Sequence, residues 1–128
     1  MALSSNIIVV GNLTRDPELQ FSQSGKEYTR FGIAVNYRVK KGDDWEDKPS
    51  FYEVTAFDSL AANAAGSLYK GDRVVVTGRV EINNYTNKDG DDKTSVGIVA
   101  DEIGASLRWA NVAITRNERP GGGRGETF

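Results

Sequence analysis

A chain of 128 residues is the size of one domain, and 38% hydrophobic content with 14 Gly and 3 Pro fits a small β-rich globule with many turns. Without cysteine there is neither a disulfide framework nor a thiolate metal site, and without histidine catalysis loses its commonest base. A net charge of -2 gives no global basic signature, so any anion site must be a local patch set among acidic loops.

Residues 1–5 lack the charged segment of a signal peptide, and no apolar run is long enough to span a membrane. Asn6-Ile7-Ile8-Val9-Val10 is a short apolar strand, buried on both faces or lying at an edge in an oligomer. Gly11 to Pro17 ends it with turn chemistry. Leu19 and Phe21 restart pairing, and Ser22 to Lys26 is a loop. Thr29, Phe31, Ile33, Val35, Tyr37 and Val39 then alternate with Arg30, Gly32, Ala34, Asn36 and Arg38. That pattern predicts a long half-buried strand in which Gly32 marks a bulge or bend. Arg38 to Ser50, charged and Gly-containing, predicts a flexible hairpin arm with Trp45 exposed in it.

Phe51 to Phe57 follows Pro49 and stops at Asp58-Ser59, and its β-branched and aromatic residues predict one strand. Alternation puts Phe51, Glu53, Thr55 and Phe57 on one face. Tyr52, Val54 and Ala56 take the other, which suits a core or a neighbouring subunit. Ser59 is the expected N-cap of a single helix, with Leu60, Ala64 and Leu68 as its apolar stripe and Gly71 as its stop. In the long strand Arg73 to Tyr85, Val74, Val76, Val80 and Ile82 face one way. Arg73, Val75, Thr77, Arg79, Glu81, Asn83 and Tyr85 face the other. Asn87 to Asp92 is a hairpin tip, Thr94 to Ile103 returns, Gly104 breaks that strand, and Leu107 to Ile114 is a last short one. Arg116 to Phe128, Gly/Arg-rich and without periodicity, is a tail. The expected organisation is one domain over residues 1–115 and a flexible tail over 116–128. The fold class is all-β with one short helix. A five-stranded Greek-key barrel of the OB type with extended hairpin loops is one of several architectures this pattern allows.

Most chemistry-bearing motifs are weak. Asp43, Asp44, Glu46 and Asp47 form a solvated charge run. Asn87, Asp89 and Asp91 alternate like calcium ligands, but Gly90 is misplaced for that loop and no terminal Glu follows. Gly121 to Gly125 lacks the Lys-Ser/Thr of a phosphate loop. No enzymatic activity, metal or cofactor is expected. The aromatic set is stronger: Phe51, Phe57, Tyr85 and Tyr37, with Arg15, Arg30, Lys70, Arg73, Arg79, Lys88 and Lys93 spread among them. Rings for bases and cations for phosphates are the two ingredients of a single-strand groove. Core rings with ordinary surface charges are the competing reading.

The chain resembles the bacterial single-stranded DNA-binding protein family over residues 4 to 115. The resemblance is carried by Asn6 with Val10-Gly11-Asn12-Leu13, Asp16-Pro17-Glu18-Leu19, and Phe31-Gly32-Ile33-Ala34-Val35-Asn36. It continues through Phe51 to Phe57, Ala61-Ala62-Asn63 with Leu68 and Lys70-Gly71, Val76-Thr77-Gly78-Arg79-Val80, and Asn84-Tyr85. Asp101-Glu102-Ile103-Gly104 with Ser106-Leu107-Arg108 is similar to the actinobacterial branch. The resemblance implies an OB fold, a homotetramer, and single-stranded DNA wrapped by stacking and backbone contacts, in a cytoplasmic, nucleoid-associated protein of replication, recombination and repair. It puts the stacking rings on Phe51, Phe57 and Tyr85. A fourth aligns with Val39, where Tyr37 on the same strand face is the substitute. Basic positions carry over to Lys70 and Lys93. Phe and Tyr stand where the family often has Trp, and Glu53, Glu81, Asn83 and Asn84 lower the local positive charge, which implies weaker or more salt-sensitive binding. Leu107 to Ile114 resembles a strand that clamps subunits. The family's acidic, Phe-terminated tip is reduced to Glu126 and Phe128 beside Arg119 and Arg124, so weak recruitment of replication and repair enzymes is expected. An OB-type protein-interaction module that binds DNA poorly remains open, favoured by Glu53 and the negative total charge. An RNA-binding or lectin-like domain has no support beyond the fold.

Overall fold

A computed structural model describes residues 6–117, the side chain of Asn83 excepted. The expected tail therefore lies, from residue 118 on, outside the described residues. The elements are β1 (Asn6–Leu13), β2 (Gln20–Phe21), β3 (Glu27–Lys41), β4 (Asp44–Phe57), α1 (Asp58–Ser67), β5 (Arg73–Thr86) and β6 (Asp92–Ala105). Hydrogen-bonded neighbours run β1-β5-β6-β4-β3, and β1 also pairs with β3, so five strands close into a ring with the two-residue β2 added on β3. All pairings are antiparallel except β4 with β6. This is the expected OB-type barrel, a closed ring that leaves few open sheet edges.

The inward set follows the period-2 pattern. Val9, Leu13, Phe31, Ile33, Val54, Val74, Val76 and Ile98 fill the barrel, and Ala64 and Leu68 from the helical segment join them. Tyr52 packs against the same cluster. The Tyr52/Val54 face is thus the wall of this barrel itself, and on β1 the apolar side chains left exposed are Ile8 and Val10.

The Arg38 to Ser50 stretch is the expected hairpin with Trp45 exposed, and the addition is that β3 and β4 stay paired out to Lys41 and Asp44. Several local expectations are corrected. β4 runs straight into α1, so Phe57 rather than Ser59 is the N-cap, and Asp58 makes the corner at φ 60. Asp is among the few non-glycine residues that tolerate this backbone. The helix ends at Leu68, ahead of Gly71, which instead occupies the turn closed by the Asp72 N–H donating to the Tyr69 carbonyl. Its buried positions are Ala61 and Ala64; Leu60 is only half-buried. Gly104 does not break β6, where it pairs with Val75. Leu107 to Ile114 forms no strand in the single chain. At the β5–β6 tip, Asn87 Oδ1 accepts from the N–H groups of Asp89 and Asp91, so this side chain serves its own loop.

Candidate nucleic-acid interface

The β3–β4 hairpin and its neighbours β6 and β5 turn one continuous outer face to solvent. On β4 that face carries Phe51, Glu53, Thr55 and Phe57, while Val54 and Ala56 are buried. Phe51 is 64% exposed and Phe57 39%, so neither ring belongs to the core. Phe57 lies opposite Tyr28, and Phe51 opposite Ala34. Lys26 Nζ sits 5.1 Å from the Phe57 ring centroid, and the Arg30 guanidinium 5.7 Å from that of Tyr28. One cross-strand row runs Arg30, Thr55, Val99, Arg79. Two cations thereby flank the strip between the rings. Tyr85, exposed and opposite Lys93, continues the same side of β5 into the β5–β6 hairpin, with Lys88 at its tip.

Glu53 on this face is already paired. Pairing passes through Gly32 without a bulge, from Phe31 with Val54 to Ile33 with Tyr52. Gly32 is needed for close approach: a Cβ there would collide with Thr14 Oγ1 and reach within 3.4 Å of Arg15 Nη1. The Thr14 N–H donates to the Gly32 carbonyl at 2.9 Å, which lays the chain after β1 over the sheet. Arg15 Nη2 can then donate to Glu53 Oε2 at 2.6 Å. A polar cleft of about 630 Å³ surrounds the pair, lined also by Thr14, Asp16, Arg30 and Lys70. The Lys70 backbone N–H donates to Asp16 Oδ1 at 2.6 Å. Since the ion pair is half-exposed, it contributes little to stability. Its effect falls on charge: Glu53 neutralises the Arg15 cation. Glu53→Gln should therefore tighten binding of oligo-dT by about fivefold near 0.1 M salt, the gain from one more phosphate contact, and by less at high salt. Fluorescence anisotropy of the variant beside Arg15→Ala reads this; equal affinity of Glu53→Gln and the parent would show that Arg15 does not reach the ligand.

Not every expected residue joins this face. Tyr37 lies opposite Lys48, and the alternation of β3 turns it to the other side of the hairpin from Phe51. Arg73 lies far down β5, with its guanidinium 4.7 Å from the ring centroid of Trp109. It lines a groove of about 740 Å³ between α1, the start of β5 and residues 106–115. The Asn117 side chain donates to Asn63 Oδ1 on α1 at 2.8 Å, which ties the end of that segment to the helix. Tyr28 is the ring that the sequence pattern missed. It stands one residue ahead of the alternating run that begins at Thr29, and its shared parity with Arg30 was the available signal. Among the described residues no helix is long and apolar enough to cross a membrane.

Comparison with known proteins bears on this face and on the whole barrel. The chain is 42% identical to the single-stranded DNA-binding protein of Paenarthrobacter nicotinovorans over 124 residues, covering 94% of this chain and 73% of that protein. It is 38% identical to the single-stranded DNA-binding protein of Mycobacterium leprae over 125 residues, covering 95% and 74%. The fold is similar to the crystal structure of a small single-stranded DNA-binding protein from Streptomyces coelicolor, with a TM-score of 0.71 and 34% identity, over 83% of this chain and 97% of that one. The family model described as "Single-strand binding protein family" matches residues 4–106, a span that takes in all five strands of the ring, the helix and every ring on the outer face. The chain belongs to that family.

Proposed function

We propose that this protein binds single-stranded DNA without regard to base sequence, bases stacking on Phe51, Phe57 and Tyr85 and phosphates lying along Arg30, Arg79 and Lys93. The observation that carries the reading is the exposure of these rings on an outer face whose cross-strand row ends in two arginines. Every base has a π-face, so exposed rings accept any sequence, whereas a duplex keeps its bases stacked on one another. No chemical step belongs to this function; it protects single strands in replication, recombination and repair, in the cytoplasm. The protein-interaction reading drew on Glu53 and the negative total charge; the Arg15 pair removes the first of these and leaves the second.

We further propose a homotetramer. Ile8 is 71% exposed and Val10 36%, and Val10 adjoins Val75 across the β1–β5 pairing. An apolar strip of this kind on a small barrel suits burial against a second copy.

The test is a titration of labelled oligo-dT, poly-U and duplex by anisotropy at several salt concentrations, with light scattering on the same sample. Single-strand affinity should exceed duplex affinity by orders of magnitude and fall with salt at a log–log slope of about -3 to -4, as expected for four to six phosphate contacts. The scattering mass should be fourfold that of the 14.0 kDa chain. Equal affinity for duplex would sink the proposal.

A further inference from the structure

The far tip of the β3–β4 hairpin carries a further exposed ring, Trp45. Pairing there continues as Arg38 with Asp47 and Lys40 with Trp45, in unbroken register from Ala34 with Phe51. Side chains alternate along β4, so Trp45 shares the face of Phe51 and Phe57. The three rings recur every six residues, a step of about 20 Å along a strand. Trp45 is 57% exposed, well past the barrel core. The Arg38 guanidinium lies 5.6 Å from its ring centroid, and Arg38 Nε lies 3.6 Å from Asp47 Oδ1, so one cation orients the indole and one acid orients the cation. Lys40 shares that face beside it. An exposed indole between two cations at the end of a track of rings has the composition of a single-strand contact.

We propose that Trp45 is an additional base-stacking residue, and that Arg38 and Lys40 hold the phosphates on either side of that base. This extends the binding track outward along the hairpin to a ring that neither Val39 nor Tyr37 supplies on this face. The inference rests on the outer face being the DNA track, and the experiment separates the two.

The chain has two Trp, so Trp109→Phe leaves Trp45 as the single indole and keeps a ring beside Arg73. In that background, oligo-dT should quench the indole emission. Trp45→Ala should weaken binding of long oligo-dT by about 5- to 150-fold, the loss of one stacked base. It should leave strands too short to span from Phe57 to Trp45 nearly unaffected, and Trp45→Phe should restore most of the loss. Unchanged emission on binding, with unchanged affinity of Trp45→Ala, overturns the proposal. So does a Trp45→Ala protein that melts early and loses affinity for short and long strands alike, because the ring would then only pin the hairpin. Phe51→Ala is the control for the track: if it also binds normally, the outer-face reading has failed. If it binds weakly while the Trp45 variants do not, only the extension has failed.

Discussion

Phe51→Ala and Phe57→Ala should each weaken oligo-dT binding by about 5- to 150-fold, or roughly 1–3 kcal/mol, and leave the melting temperature within about 3 °C of the parent. Phe31→Ala should do the reverse. The chemistry of the substitution is the same and the surroundings are opposite. Phe31 is 0% exposed and sits among Ile33, Val54 and Val76, whereas Phe51 is 64% exposed and touches solvent. Emptying the Phe31 site leaves a cavity that a closed barrel cannot collapse around, at a cost of about 3–5 kcal/mol. Its surviving folded molecules keep the outer rings and should bind with near-parental affinity. Thermal melts beside anisotropy curves on the three proteins separate the cases. Early melting of Phe51→Ala with unchanged affinity would mean that its ring serves packing in the assembly, not DNA.

The second large effect is predicted at Gly78. It lies inside the barrel where the β5–β6 register shifts, Thr77 pairing with Glu102 and Gly78 with Ala100. A Cβ on Gly78 would collide with the Val99 carbonyl oxygen and stand 2.9 Å from Ala100 Cα. Both obstacles are backbone, so no side-chain rotation relieves them, and the bulge itself would have to open. Gly78→Ala should lower stability by about 2–3 kcal/mol and the melting temperature by roughly 8–15 °C. Gly66 is the internal comparison. It sits on α1 with nothing within 4 Å of a built Cβ, and Gly66→Ala should raise stability by up to about 1 kcal/mol through helix propensity. Two glycine-to-alanine changes with opposite signs would establish that space, not residue type, sets the outcome. A Gly78→Ala protein as stable as the parent would mean that the bulge opens at little cost.

The strands that line the barrel were legible because burial imposes alternation. Val74 and Val76 are buried while Arg79 and Tyr85 are not, as their parity requires. Phe51 and Phe57 were legible as candidates for the same reason, although parity could not say which side was the inside. The β3–β4 tip was not legible as strand. Both its faces are exposed, so no apolar period marks it; it is ordered by cross-strand pairs such as Arg38 with Asp47 and Arg38 with Trp45. A glycine inside a strand pattern such as Gly32 suits a bulge or bend as well as a close approach of another segment, and the sequence cannot tell these apart. The strand parity of Arg73 matches that of Arg79, and only the fold brings Trp109 over it. The Arg15–Glu53 pair spans 38 positions, and no local pattern announces such a contact.

The closed ring of strands also sets the order and hazard of folding. The β3–β4 and β5–β6 hairpins join residues near in sequence and can form early. The parallel β4–β6 pairing joins Glu53 to Gly97, 44 positions apart, and its loop-closure entropy is lost before any contact compensates. Until that seam shuts, Glu53 to Thr55 on β4 and Gly97 to Val99 on β6 carry unpaired backbone groups, which are templates for other chains. Refolding yield should therefore drop as protein concentration rises, even where the folded barrel is stable, because two open seams on different chains can meet before either one closes.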